Sequence, residues 1–546
     1  MVMPDVTVIV GVYNSRDYIE QCLESVMAQS LDADQIQLIV VDDGSTDGTS
    51  DVLVKLAAHH ERLRVISQGN SGNPAGPRNT ALEHAQGRFV FFLDSDDYLA
   101  EEALERMVAM ADDNETDVVI GKYASVDGRK VPRSMFTHDQ PRTDVFSSRA
   151  YWTLNPLKLF RRSLIEEHHL RFPASLPVGQ DQPFVAQAYL HAHAISILAS
   201  YDCYHYRLRE DGGNNTEHPE SAQRWLRIFE HMIPLAKSFT DEGAKQNLLL
   251  RRHFQSEQRD FLRHLLKVPA NQRAELFAKF REIVRDWASH DVCEPLPAED
   301  RLRLELTRRG QLDLLMQVTE TCLAKDVELH FEKGHAFALL PGFRSQSPGI
   351  PDAYYDVTSE LKPKHTLTDS QWENEKYLID GHIVTPGVSP ENVAVTLVLR
   401  RRDNGKELVL KTHSSCIPSN PDHQSQGENK SLTYRALIDV SLLTSSLTSR
   451  QRIWDCFVRT QFYGLTTERR IGQSRSGHIE LTPTYIKSNL LTRLRNRNRT
   501  VSRTEVKPYL TNPFENLSFK LSDSANIARP TLPRQRAKKQ AKAAST

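Results

Sequence analysis

The residues best placed to do chemistry are two carboxylates one position apart, Asp94 and Asp96, at the end of the run Phe89-Val90-Phe91-Phe92-Leu93-Asp94-Ser95-Asp96-Asp97. On an extended segment, acids at this spacing can share one hard cation whose remaining positions go to phosphate oxygens and water. A cation held this way neutralises a departing diphosphate. The apolar run before them, bounded by Gly87, reads as a parallel strand buried on both faces. Its carboxyl end would open on the crevice where open α/β sheets bind ligands. Taken alone, Asp94-Ser95-Asp96-Asp97 also reads as a strand-ending turn with a helix cap after it.

The preceding chain supplies elements that could position these acids. Val6 to Val10 is a β-branched strand, followed by the loop Gly11-Val12-Tyr13-Asn14-Ser15 and a helix with Tyr18, Ile19, Cys22, Leu23, Val26 and Met27 on one face. A second strand, Gln37 to Val41, ends in Asp42-Asp43-Gly44-Ser45-Thr46-Asp47-Gly48, where Ser45 or Asp47 can cap the next helix. Val65-Ile66 is a third strand, and Arg78-Asn79-Thr80-Ala81-Leu82 starts the helix that leads into the acidic strand. Four strand–helix alternations predict a doubly wound parallel sheet.

At 546 residues the chain calls for two or three domains. The formal net charge is −1 but unevenly placed: from Lys487 to Thr546 there are fourteen Lys/Arg against three Asp/Glu. The six cysteines are scattered without a CxxC pair, which fits a reducing compartment and gives no zinc-ligand spacing. Neither a secretory signal nor an apolar run of the ~20 residues a membrane helix needs is read in the chain, so a cytoplasmic protein is expected. From Ser221 to about Lys325 the pattern is helical, with Trp225, Ile228, Phe229 and Ile233 on one face. Beyond Val327, short alternating strands predict a β-sandwich with Trp454 in its core and a polar mobile loop over Ser414 to Ser431. The expected limits are therefore residues 1–220 for the catalytic domain, 221–326 for a helical linker or acceptor-binding region, 327–525 for the sandwich and 526–546 for a disordered basic tail.

Val8-Ile9-Val10-Gly11-Val12-Tyr13-Asn14, Val40-Val41-Asp42-Asp43-Gly44-Ser45-Thr46-Asp47, Arg78-Asn79 and Phe92-Leu93-Asp94-Ser95-Asp96-Asp97 resemble, in order, the motifs of family 2 nucleotide-sugar glycosyltransferases. The segments Asn70 to Asn79, Gly128 to Phe136, Ser148 to Lys158, Ile453-Trp454-Asp455 and Pro508 to Phe514 are similar to the enzymes that place N-acetylglucosamine on the poly(ribitol phosphate) of wall teichoic acid. The resemblance implies a GT-A type catalytic domain, a UDP-sugar donor, Mn²⁺ or Mg²⁺ as cofactor, and an anionic cell-envelope polymer as acceptor.

Residue by residue, the resemblance makes Asp43 the acceptor of the uracil imide N–H, with helix capping as the plain alternative. It puts Val10, Tyr13, Asn70, Arg78, Asp94, Arg129 and Arg209 on the nucleotide sugar, and Asp94 and Asp96 on the metal. Pro177 to Phe184 begins a helix with Asp181 in its first turn; the resemblance makes Asp181 the general base, and helix-dipole preference for an N-terminal acid is the alternative. The family usually has Glu-Asp where this chain has Gln180-Asp181, and losing the neighbouring carboxylate predicts a pKa for Asp181 lower than in a paired site. Some members carry a His a few residues after Arg209, where Gly213 or Asn214 falls here, leaving Arg207 or His205 as candidate substitutes. Trp152, Arg252 and His253 are the expected acceptor contacts; a basic trio at Arg251, Arg252 and His253 also reads as an exposed helix face.

The basic C-terminal segment suits an anionic leaflet or polyphosphate acceptor better than nucleic acid, so peripheral membrane contact is expected. In the related wall enzymes the C-terminal module helps assemble trimers, which makes a homo-oligomer an expectation too. Rival readings are transfer of another hexose to a different polysaccharide or capsule, and a non-catalytic carbohydrate- or phosphopolymer-binding protein.

Overall fold

The computed structural model describes residues 3–60, 62–209, 221–325, 327–417, 431–444, 452–487, 501–512 and 515–525. Two compact units form, one from Met1–His330 with Phe337–Val357 and the other from Phe331–Ala336 with Thr358–Thr546. Residues 337–357, placed with the sandwich by sequence texture, thus cluster with the first unit.

In the first unit, β1 (Val6–Val12), α1 (Ile19–Met27), β2 (Ile36–Asp42), α2 (Thr49–His59), β3 (Leu63–Ser67), α3 (Ala75–Leu82) and β4 (Phe89–Asp94) alternate as expected. The four strands are parallel in the order β3-β2-β1-β4. Residues 89–93 of β4 and Val8, Ile9 and Val10 of β1 are buried, as two covered faces require. Register sets Asp94 opposite Gly11 and Asp42 opposite Val12, so the acids emerge at one level on the carboxyl edge.

Beyond β4 the sheet is mixed rather than parallel. The chain continues through β5 (Tyr98–Leu99), α4 (Ala103–Asp113), β6 (Val118–Val126), β7 (Gln140–Thr143), β8 (Leu159–Arg161), α5 (Arg162–Glu167), α6 (Asp181–His191) and β9 (Ile195–Arg207). Strand β8 enters antiparallel between β4 and β6, while β5 and β7 pair antiparallel with β9. The departure begins where the strand–helix alternation lapses, because parallel pairing needs a long crossover, usually a helix, to return the chain; β6 and β9 still pair in parallel.

The helical region comprises α7 (Ser221–Phe239), α8 (Ala244–Leu265), α9 (Ala270–Trp287), α10 (His290–Cys293), α11 (Ala298–Arg308) and α12 (Leu312–Ala324). The expected face of α7 is buried, and Phe229 meets Phe254 of α8 and Phe280 of α9 at centroid separations of 5.7 and 5.5 Å.

A short ribbon pairs β10 (Leu329–Glu332) with β11 (His335–Ala338). The second unit contains β12 (Lys364–Glu373), β13 (Lys376–Val384), β14 (Ala394–Arg401), β15 (Glu407–Lys411), β16 (His413–Ile417), β17 (Ser431–Asp439), β18 (Arg452–Phe462), β19 (Leu465–Arg470), β20 (Thr484–Lys487), β21 (Val501–Leu510) and β22 (Leu517–Ala525). One antiparallel sheet runs β12-β13-β17-β16 and the other β15-β14-β18-β22-β21-β20, with β19 also against β18. The sheets meet where Tyr377 packs edge-on against Phe519 at 5.1 Å, and Trp454 is buried in this sandwich. Ser414 to Ile417 belong to β16 rather than to the expected loop, whose remainder through residue 430 lies outside the described residues, as do residues 493–499 and 526–546.

At the entry to β4, a Cβ on Gly87 would run into the backbone of Val6 and Thr7, while a Cβ on Gly69 would meet nothing within 4 Å. Backbone cannot yield as a flexible side chain can, so Gly87→Ala is expected to cost about 1–3 kcal/mol and Gly69→Ala much less. Urea unfolding of both variants measures this, and equal stabilities would contradict the close approach.

Candidate active site

A cleft of about 600 Å³ opens at the carboxyl edge of β1, β2 and β4. Tyr13, Asp43, Asn70, Arg78, Asp94, Asp96, Arg129, Asp181 and Arg209 all line it. Val10 does not: it is fully buried in the strand, a correction that follows from the two covered faces of β1.

On one side, Asp43 leaves β2 nearly buried, and its backbone N–H donates to Val12 O at 2.8 Å. Its carboxylate accepts from Gln68 Nε2 at 2.6 Å, from Ser71 N at 3.0 Å and from Ser71 Oγ at 2.9 Å. Asp43 is therefore not a helix cap; Asp47 Oδ1 takes the Thr49 N–H at the start of α2, at 3.0 Å. Gly44 has φ +77°, and a Cβ there would sit 2.9 Å from Asn70 N, so the turn that brings Asn70 beside Asp43 needs glycine. Tyr13 stands 47% exposed, leaving its ring available for stacking.

At the centre, the buried Arg78 of α3 donates from Nη2 to Asp94 Oδ1 at 2.8 Å and from Nη1 to Asp181 Oδ1 at 2.6 Å. The Phe172 ring lies 5.3 Å from its guanidinium carbon. One planar cation thus joins the strand-end acid to the first turn of α6. Burial pushes the Asp181 carboxyl up, Arg78 opposes this, and Asp94 adds to the rise. The net direction is upward from the ordinary carboxylate value, because desolvation together with Asp94 outweighs Arg78.

Asp96 is likewise raised by burial and by Asp94, with Arg209 and Arg129 opposing. A carboxylate in this condition gains from a nearby cation. Among the described residues no group of three or more His, Cys, Asp or Glu could hold a metal. Asp94 and Asp96 nevertheless fit an ion that takes one or two carboxylates and completes its shell with phosphate oxygens and water, as Mg²⁺ commonly does.

Asp97 has a different role. It is buried, accepts from Tyr204 Oη at 2.7 Å and Arg207 N at 2.7 Å, and is pushed up to about 8 by burial and then by Asp94 and Asp96. Tyr204 Oη also accepts from Asp94 N at 3.2 Å, so this tyrosine fixes the acidic turn. Sequence reasoning missed Tyr204; its separation from the acidic turn left no local signal.

Arg129 stacks 4.0 Å from the Tyr206 ring centroid and donates to Tyr206 Oη at 2.6 Å and Arg207 O at 3.0 Å. Arg209 donates to Asn14 O at 3.4 Å and lies 5.1 Å from the Tyr18 ring. Neither candidate substitute lines the cleft: His205 stacks on Tyr98 at 4.5 Å, and Arg207 pairs with Gln21. Gly213 and Asn214 lie outside the described residues.

The expected acceptor contacts are not brought together in the cleft. Trp152 is half-buried with the Arg149 guanidinium over its ring at 4.5 Å. Arg252 and His253 are buried, which corrects both the acceptor-contact expectation and the exposed-face alternative for them. Arg252 pairs with buried Glu257 and donates to Gln182 Oε1 at 3.0 Å. His253 reaches Glu257 Oε2 from Nδ1 at 3.0 Å and Tyr151 Oη from Nε2 at 3.1 Å. These side chains are paired with one another inside the fold, although Arg252 Nε finds no hydrogen-bond partner among the described residues.

The chain is similar to known proteins along most of its length. Residues 7–172 match the glycosyl transferase family 2 model, 223–319 the glycosyl transferase TarS linker domain and 355–521 the TarS beta-glycosyltransferase C-terminal domain 1. The poly(ribitol-phosphate) beta-glucosyltransferase of Bacillus spizizenii is 29% identical, over 95% of this chain and 79% of that protein. The poly(ribitol-phosphate) beta-N-acetylglucosaminyltransferase TarS of Staphylococcus aureus is 28% identical, over 94% of this chain and 84% of that one. Crystal structures of S. aureus TarS match with a TM-score of 0.59 at 25% identity, covering 95% of this chain and 86% of that one, and, for residues 1–349 with UDP-GlcNAc, 0.53 at 30% identity, covering 64% and 98%.

The buried acid of α8 gives a pH-dependent stability. Burial penalises the charge of Glu257, but Arg252 and His253 outweigh it and hold the carboxyl at about 2, below its ordinary 4.5. A depressed folded-state pKa means the contribution is complete above about pH 4.5 and is lost as pH falls from there towards 2. Burial also lowers His253, whose contribution is lost as pH falls below 6.5, the same acid-labile sign. The stability gap between wild type and Glu257→Gln is therefore expected to shrink between pH 4.5 and 3 in urea titrations; a gap independent of pH would contradict the ionised assignment.

Proposed function

The chain belongs to glycosyltransferase family 2, and from that premise we propose that it transfers a sugar from a UDP-sugar to a hydroxyl of a poly(ribitol phosphate)-type cell-envelope polymer, with inversion at the anomeric carbon. The observation that carries this is the Arg78 guanidinium joining Asp94 and Asp181, which puts a strand-end acid and an acid fit to take a proton on the same cleft.

Asp43 accepts the uracil imide N–H, Tyr13 stacks on the ring, and Asn70 borders the same end of the cleft. Arg129 and Arg209 offset the diphosphate's charge. Asp94 and Asp96 would hold a Mn²⁺ or Mg²⁺ ion, which supplies further neutralisation of the leaving nucleotide. Asp181 takes the proton of the acceptor hydroxyl as that oxygen attacks opposite the diphosphate, a single displacement that converts an α-linked donor to a β-linked product. Its burial-raised pKa makes the carboxylate a stronger base, and Arg78 opposes that rise.

Both named relatives are beta-transferases on poly(ribitol phosphate), consistent with inversion, but one carries glucose and the other N-acetylglucosamine in its name. N-acetylglucosamine is the sugar we favour. No helix among the described residues is long and apolar enough to cross a membrane. Cytoplasmic placement, with peripheral membrane contact through the basic segment from Lys487 onward, belongs to the same reading, as does assembly into homo-oligomers.

UDP release is to be measured with each UDP-sugar and purified poly(ribitol phosphate), after EDTA treatment and with Mn²⁺ or Mg²⁺ restored. Turnover with one donor, lost on chelation and recovered with metal, is expected; full turnover in EDTA would remove the metal. Asp96→Ala should abolish transfer in a folded chain. Asp181→Asn should lower kcat about 100-fold or more while UDP-sugar still binds. Since the base acts deprotonated, wild-type kcat should fall as pH drops through a pKa above the usual carboxylate range; a limb at or below that range would count against Asp181.

A further inference from the structure

The proposed base stands at the start of α6, outside the parallel half of the sheet, so strand register does not fix its place relative to the acidic turn. Two contacts from the helical region reach this short stretch. Arg252 of α8, itself buried, donates from Nη1 to Oε1 of Gln182, the residue after Asp181. Arg252 is held in turn by Glu257, which His253 also bonds, and His253 reaches Tyr151. Two residues before Asp181, Gly179 has φ +71°, and a Cβ there would run into Ile228 Cδ1 of α7. The α7 side chain therefore packs directly on the backbone of the turn that delivers the base.

We propose that Arg252 and Ile228 are positioning residues: through Gln182 and Gly179 they fix the first turn of α6, and with it the Asp181 carboxylate, at the distance from the acceptor hydroxyl that proton transfer requires. The inference rests on the reading of Asp181 as general base. Phe184 packs the body of α6 against Phe92 and Phe172, and Arg78 holds the Asp181 carboxylate by one ion pair; the contacts at Gly179 and Gln182 hold the backbone on both flanks of Asp181. The helical region then acts on the chemical step rather than on donor binding, because the residues proposed to meet the nucleotide lie on α3 or at or just past the ends of β1, β2, β3, β4, β6 and β9, and none lies on α7 or α8. A displacement of about 1 Å at a reacting group can cost on the order of 100-fold in rate.

Gln182→Met is the informative variant. It removes the acceptor of Arg252 without unpairing Glu257, so the buried charges stay matched. Purified full-length chains are assayed for transfer from the UDP-sugar that supports turnover to poly(ribitol phosphate). A kcat lowered about tenfold or more is expected, with the UDP-sugar KM and the melting temperature close to wild type. In an Asp181→Asn background the same substitution should cause no further loss, because its effect runs through Asp181. If Gln182→Met does not fold, Arg252→Lys replaces it, keeping a cation beside Glu257 while losing the planar fork. Gly179→Ala should likewise lower kcat, and adding Ile228→Val, which deletes the obstructing Cδ1, should restore part of it. Wild-type kcat in the folded Gln182 or Arg252 variant overturns the proposal, as does a raised KM at unchanged kcat. Full activity of Asp181→Asn instead overturns the reading of the base itself, so the two failures are distinguishable.

Discussion

The site depends on one guanidinium. Arg78 is buried against Phe172 and divides its two edges between Asp94 and Asp181. Without it, several carboxylates would converge on one partly desolvated cleft, and burial together with mutual repulsion would protonate some of them. With it, two acids are held by the two terminal nitrogens of one cation. A lysine could not do this, because a point charge lacks the fork that engages both partners at fixed angles.

The register of β1 and β4 places the fork. Asp94 stands opposite Gly11, and a Cβ on Gly11 would lie 3.3 Å from Pro77, the residue before Arg78. A small residue at the end of β1 thus lets α3 come down onto the strand ends. The same closeness at Gly44 sets Asn70 beside Asp43. The cleft is therefore shaped by backbone approach at strand termini, while its charge is set by side chains that emerge there.

Much of this was legible in the sequence because it is local. The apolar run of β4, the acids after it and the glycine-rich turns follow from period and turn chemistry within a few residues. What was not legible joins residues far apart: Tyr204 to the turn at Asp94 and Asp97, and Arg252 to Gln182. The basic trio misled because charge on a helix suggests solvent, yet Leu250, His253, Glu257 and Phe261 recur at helical spacing and are all buried. An i, i+4 His–Glu pair inside an apolar stripe was the available signal. The burial that raises Asp181 is likewise not written in the sequence, which shows a missing neighbour and not the depth of a side chain.

This difference in legibility follows from how the two halves of the site are held. The proposed nucleotide side is built on parallel strands whose hydrogen-bonded register leaves little freedom, so local pattern suffices to place it. The proposed base rides on a helix that follows an irregular passage after α5, and no ladder ties that helix to β4. Its position comes from side-chain contacts instead: Phe184 against Phe92 of β4 and Phe160 of β8, Arg78 on the cleft side, and α7 and α8 behind the turn. A chain that kept all the strand-end motifs but lost the helices after residue 220 would keep the residues lining the proposed nucleotide end, and would lack part of what holds the carboxylate proposed to take the proton.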